Sequence, residues 1–265
     1  MKKIPHILLL AAVLAGCTKE ARQQDWVAAD FSVTPDRTAV KSVGDASLVD
    51  QLEIKAYDRN GNYLDYIHFS CTQLGNGDFT AKGSLLRGET YTLLFFAQTA
   101  GTYTVGEDAV LRQASGIPAS TPSMDAFYAV QEVTGGADEK IYVTLKRPFA
   151  LLHFVSDQAR TGARSRLNLN HVPTSMNLLS GQVEGSGNVS FTEETCPSET
   201  EVAFAFVLAP ETLSRIGASI RVSYGEFDAE RILNNIPLRR NYETFLRGDY
   251  FTTEGPLEVE IDAQP

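Results

Sequence analysis

A period of two restricts this chain more than any other feature. In residues 26–34 the side chains of Val27, Ala29, Phe31 and Val33 alternate with outward-facing neighbours, as a half-buried strand requires. The same alternation returns at Leu52, Ile54 and Ala56, and at Leu257, Val259 and Ile261, where Glu258, Glu260 and Asp262 take the other face. Between them lie strand-like runs at 79–85, 91–97, 127–133, 140–145, 149–155, 167–172, 181–191, 202–208, 218–224 and 227–233. Starts spaced roughly 10 to 15 residues apart, with little room for a helix longer than two turns, describe antiparallel β-sandwiches rather than βαβ units. Residues 91–97 are apolar on both faces and therefore read as a central strand.

Turn chemistry sets the expected connections. Asn60-Gly61 supplies the two positive φ angles of a type I′ turn, which predicts a hairpin between residues 52–56 and 63–69. Asp58, Asn60 and Asn62 have the spacing of a calcium loop, but Tyr63 stands where its glycine belongs and Phe69 where its closing glutamate belongs. Gly75-Asn76-Gly77 predicts a second reversal, and residues 107–113 allow a helical turn. Residues 115–123, rich in Gly, Pro and Ser, form a long loop whose Ser115, Pro118 and Pro122 are candidates for ligand contact. Runs 127–133 and 140–145 read as a pair joined across Gly135-Gly136, and Lys146-Arg147-Pro148 then interrupts the pattern. The expected organisation is all-β: two tandem antiparallel sandwiches, 26–147 and 148–265, with little helix.

Residues 1–25 are of another kind. Lys2 and Lys3 precede an apolar run from 7 to 15 that is too short to span a bilayer, and Leu14-Ala15-Gly16-Cys17 closes it. This resembles a bacterial lipoprotein signal, which implies cleavage after residue 16, acylation of Cys17 and a membrane lipid as partner. Residues 17–25 then form a polar tether. Removing the leader leaves 249 residues with 21 basic against 33 acidic, a net charge of about −12. Such a charge argues against nucleic acid and against anionic lipid surfaces. The other cysteines, Cys71 and Cys196, are 125 positions apart: an exported pair could oxidise to a disulfide, and two separately buried thiols is the plainer reading.

No constellation for chemistry emerges. The chain lacks Gly-x-Ser-x-Gly, Ser-x-x-Lys and a phosphate loop. His68, His153 and His171 fall on strand-like segments at no ligand spacing, so neither a metal nor a cofactor is expected. Arg239 and Arg240 read as exposed strand ends. The expectation is a non-enzymatic protein.

Several motifs follow one another in order: Phe95-Phe96-Ala97-Gln98, Asp125-Ala126-Phe127, Lys146-Arg147-Pro148-Phe149-Ala150, and 236–242 (Ile-Pro-Leu-Arg-Arg-Asn-Tyr) before Gly248. Together with the leader they resemble the fimbrillin-like lipoproteins related to type V pilus subunits. The resemblance implies transthyretin-like sandwiches, an outer-membrane or fimbrial location on the cell surface, a structural or adhesive role, and other fimbrial subunits as partners. It also implies assembly by strand exchange, after an arginine-specific protease removes the first strand. Arg37 is the best-placed cut site and Arg22 the second. The sequence ends four residues after Ile261, so 257–261 is expected to complete its own domain, which suits an anchor, terminal subunit or stand-alone surface protein. The alternative is a surface module binding glycan or host protein through the 115–123 loop.

Overall fold

The computed structural model describes residues 25–36, 46–156, 158, 160 and 162–262. The first strands are β1 (Trp26–Pro35), β2 (Gln51–Tyr57), β3 (Phe69–Gly75), β4 (Asp78–Leu86) and β5 (Thr90–Gln98). Next come β6 (Val110–Arg112), a 3-10 turn at Pro122–Met124, β7 (Ala126–Thr134), β8 (Ile141–Leu145) and β9 (Phe149–Ser156). The chain continues through β10 (Arg164–Val172), β11 (Ser175–Asn177), β12 (Gln182–Glu184), β13 (Gly187–Ser190), β14 (Glu194–Thr195) and β15 (Glu201–Leu208). It closes with β16 (Ser214–Tyr224), β17 (Phe227–Leu238), β18 (Glu243–Gly248) and β19 (Leu257–Asp262). No α-helix occurs among the described residues, so the protein is all-β, as its periodicity dictates.

Alternation explains how the layers stack. Sheet β3-β4-β1-β8 faces sheet β2-β5-β7. Phe31, Val33, Phe79, Leu85, Val143 and Leu145 from the first meet Ala56, Leu93, Phe95 and Phe127 from the second in one buried cluster. Sheet β13-β10-β16-β17, with β14 on β10, faces sheet β15-β9-β18-β19. Leu167, Leu169, Ile220 and Val222 meet Leu152, Phe154, Ala205 and Val207 there. A third cluster joins the two sandwiches. Tyr57, Leu94 and Phe96, on the outer face of β2 and β5, pack with Phe149, Leu151, Phe204 and Phe206, on the outer face of β9 and β15. The small sheet β12-β11-β6 adds Leu111, Met176 and Leu178. The doubly apolar run of β5 is thus a strand with a core on each side.

Several expected connections are made differently. Residues 63–69 do not return as a strand beside β2: only Tyr63 bridges Tyr57, and β3 begins at Phe69 in the opposite sheet. Gly61 has φ +81° while Asn60 is not left-handed, so no type I′ turn forms. Instead the Asp58 carboxylate accepts the Asn60 and Asn62 amides, each at 2.8 Å. Its pKa is lowered by hydrogen bonding, chiefly from the Asn62 side chain. Strands β7 and β8 also do not pair. Strand β7 joins β5, and β8 joins β1 in parallel across the sandwich. Gly135 lies on that crossing because a Cβ there would collide with the Leu86 carbonyl. The reversal at Gly75-Asn76-Gly77 forms as expected, all three residues having positive φ. Residues 107–113 hold strand β6 rather than a helical turn, because Leu111 is drawn into the third cluster beside Met176. The run 181–191 is split into strands β12 and β13, which belong to separate sheets.

Two outcomes test this architecture. Phe149 is fully buried, stacks on Tyr103 at 5.4 Å and meets Phe206 edge-on. Phe149→Ala should cost about 3–5 kcal/mol in urea unfolding, with both sandwiches losing stability because the cavity opens between them. Tyr103 donates its hydroxyl proton to the Met124 carbonyl at 2.7 Å, and burial pushes its phenol pKa well above the ordinary value. Below pH about 10 the phenol is protonated in both states; above it the unfolded chain ionises first, so stability falls as pH rises. Melting temperature measured from pH 9 to 12 should therefore drop beyond about pH 10, and Tyr103→Phe should flatten that drop.

Candidate functional site

The N-terminal strand is an interior strand of its sheet. Strand β1 pairs antiparallel with β4 from Trp26↔Leu86 to Val33↔Phe79, and parallel with β8 from Phe31↔Ile141 to Pro35↔Leu145. Ala29, Phe31 and Val33 are buried in the first core, and the Asp36 amide donates to the Leu145 carbonyl at 2.7 Å. Phe31 also meets Phe69 and Phe95 edge-on. Losing β1 would strip two ladders and a row of side chains from a seam lined by β4 and β8.

The last strand is held differently. Strand β19 pairs only with β18, at the edge of its sheet. Contrary to the expectation of an inward face, none of its residues is fully buried, and Val259 is 48% exposed. The ladder with β18 holds it, because β18 itself lies between β19 and β9.

Two of the buried arginines hold together segments far apart in the chain. Arg147 and Asp125 form a bidentate pair, Nε to Oδ1 and Nη2 to Oδ2 both at 2.6 Å, with the guanidinium 4.7 Å from the Phe127 ring centroid. Their side chains are 3% and 2% exposed, so the pair is desolvated and must be held by its geometry. Arg240, expected at an exposed strand end, is buried. It donates to the Ala209 and Gly181 carbonyls and, through Nη1, to the Tyr128 hydroxyl at 3.0 Å. Burial raises the Tyr128 phenol pKa, and the charge of Arg240 opposes that shift. Arg239 stays exposed, with its guanidinium 4.2 Å from the Tyr242 centroid.

His153 on β9 sits between carboxylates. Its Nδ1 is 2.5 Å from Glu201 Oε1, its Nε2 3.7 Å from Glu243 Oε2, and its ring stacks on Phe245 at 4.6 Å. At 2% side-chain exposure it is closed to substrate and clips β15, β9 and β18 together. His68 precedes β3 instead of lying on a strand, and His171 occupies a bulge of β10 at φ +62°. No group of three metal-capable side chains occurs among the described residues. Cys71 and Cys196 are free, half-buried, and packed against different cores. Burial raises the pKa of both thiols.

Cys17, Arg22 and Arg37 lie outside the described residues. Ser115, Pro118 and Pro122 are exposed, but the segment carrying them is pinned to the second sandwich. The Gly116 amide donates to the Ser190 carbonyl, the Thr192 amide to the Ile117 carbonyl, and the Phe204 amide to Ser120 Oγ. No described helix is long and apolar enough to cross a membrane.

Residues 23–264 match the model of a family of unknown function, DUF6562. The chain belongs to this family. No curated protein matches it. Among solved structures it is similar to a "putative cell adhesion protein" of Bacteroides uniformis, at 12% identity and TM-score 0.54, covering 89% of this chain and 96% of that one. It is likewise similar to "putative polysaccharide binding proteins (DUF1812)" of Bacteroides thetaiotaomicron, at 12% identity and TM-score 0.52 with the same coverage. A third likeness is to the C-terminally truncated tip fimbrial protein Mfa3 of Porphyromonas gingivalis, at 14% identity and TM-score 0.50, covering 89% and 98%. At such identities the likeness is one of fold.

The buried pair can be tested directly. Asp125→Ala leaves the Arg147 guanidinium without its bidentate carboxylate and should cost about 3–5 kcal/mol. Adding Arg147→Met should recover part of that loss, read as a positive coupling in a double-mutant cycle of urea midpoints.

Proposed function

We propose that this protein is a non-enzymatic fimbrillin-like lipoprotein of the cell surface, acylated at Cys17, acting as a pilus subunit, anchor or accessory that assembles by β-strand addition. The observation that carries this reading is the position of β1. It fills the middle of a sheet and buries Ala29, Phe31 and Val33. Cleavage after Arg37 would release that strand and expose unpaired edges of β4 and β8 above the apolar floor of Phe79, Val143 and Phe95. An exposed seam of that kind takes a strand whose alternate side chains fill the vacated pockets.

Strand β19 has the pattern of a donor. Leu257, Val259 and Ile261 alternate with acids, and no side chain on it is fully buried at home. Departure from the edge would break a single ladder. The fold likeness to a cell adhesion protein and to a tip fimbrial protein supports the same reading. So does the sealed setting of His153, the histidine that lies between two carboxylates, which offers no route for substrate.

Treatment with an arginine-specific protease should give a discrete product starting at Thr38, and oligomers that survive mild detergent. Arg37→Ala should block both. A trimmed product that remains monomeric would remove strand addition from the proposal. Separately, Cys17→Ala should abolish palmitate labelling and release the protein from the membrane fraction. Labelling that persists in this variant would remove the anchor.

A further inference from the structure

The surface where β1 begins carries a second feature that strand addition does not use. Loop 58–66 and turn 86–91 meet around an open cleft of about 390 Å³, beside the first residue of β1. Its floor is the buried ring of Tyr91 with the half-buried Leu64 and Leu86. Its wall is Tyr66, 55% exposed, braced edge-on by Trp26, 40% exposed, with centroids 6.4 Å apart and planes at 80°. Trp26 is the sole tryptophan of the chain, and its β-ladder partner Leu86 lines the cleft.

The polar rim complements these rings. Asp58 holds the loop in shape through the Asn60 and Asn62 amides, so its carboxylate is already engaged. Arg59 and Glu89 also line the cleft, are exposed, and have side chains with no partner among the described residues. A cation with several donors and an acceptor carboxylate therefore flank the exposed ring of Tyr66. Such a set matches a pyranose from two directions. The electron-rich ring face takes the weakly positive C–H face of the sugar, while a guanidinium and a carboxylate take adjacent hydroxyls at its edge.

The geometry points to a saccharide-binding site, selective for neutral rather than acidic sugars. Selectivity follows from charge: Asp58 and Glu89 at the rim, and a chain net charge of −10, disfavour sialylated or sulfated ligands. Tyr66 is braced only while β1 is seated, because Trp26 would leave with any fragment cut after Arg37. It does not depend on strand addition, since no residue of the β4–β8 seam other than Leu86 enters it.

The test is an array of neutral, sialylated and sulfated oligosaccharides probed with the full, untrimmed chain, followed by calorimetric titration of the strongest neutral hit. The expected result is binding of neutral sugars, weakened at least tenfold by Tyr66→Ala and by Glu89→Ala. Tyr66→Phe should stay within about twofold, because the ring and not the hydroxyl makes the contact. Tyr142→Ala, at a 74% exposed ring elsewhere on β8, should leave binding unchanged. All variants are exposed side chains and should keep the wild-type melting temperature; if Tyr66→Ala does not, Glu89→Gln and Arg59→Ala decide the matter. Binding of none of the array, binding of acidic sugars alone, or neutral binding that survives these substitutions would overturn the assignment. Retention on phosphatidylethanolamine vesicles through Trp26 and Tyr66, with no sugar bound, would likewise overturn it.

Discussion

The rest of the structure depends on apolar packing between the two inner sheets. Leu94 and Phe96 on one strand, Phe149 and Leu151 on another, reach across to each other while their alternate neighbours fill the separate sandwich cores. A sheet buried on both faces cannot rotate or slide without opening two cores at once, and close-packed interiors tolerate little of that. Burial of the Asp125–Arg147 pair follows from this packing. Water is excluded first, and the ion pair survives because each partner has the other in bidentate geometry.

Around this centre, β1 in the middle of an outer sheet and β19 at the edge of an inner one are the elements that can change. Strand β1 is deeply held, β19 weakly, and the contrast is one of position within a sheet: β1 faces a core and has two ladders, whereas β19 has one ladder at an edge. An exchange of strands needs such an asymmetry, a strong acceptor seam and a lightly tethered donor. On the two proposals above, β1 would couple a ligand surface near its start to the state of assembly.

Much of this was legible in the residues, for a physical reason. Alternation with period two is local and survives any tertiary arrangement, so β1, β4, β5, β9, β15 and β16 are visible as strands. The all-β class followed from them. Pairing is not local. The Asn60-Gly61 dipeptide permits a tight hairpin, but Leu64 and Ile67 gain more by turning into the first core, and Asp58 stabilises the wider loop. Gly135-Gly136 likewise permits a hairpin and instead carries the chain across the sandwich. Asp125 and Arg147 stood out within motifs, yet nothing in their spacing of 22 residues shows that they meet. Arg240 looked exposed because a charged residue at a strand end usually is; its burial is imposed by Tyr128 and two carbonyls from distant segments.

The sequence by itself determined that the chain is a β protein of acidic composition with no local catalytic motif. These properties reside in composition, period and short motifs, which need no partner. Only the tertiary structure decided which strands neighbour which, that β1 is interior and β19 peripheral, that Arg147 and Arg240 are buried, and that Tyr66, Arg59 and Glu89 line one cleft beside Trp26. Each of these joins residues far apart in sequence, and what brings them together is the burial of apolar faces that local pattern can name but cannot pair.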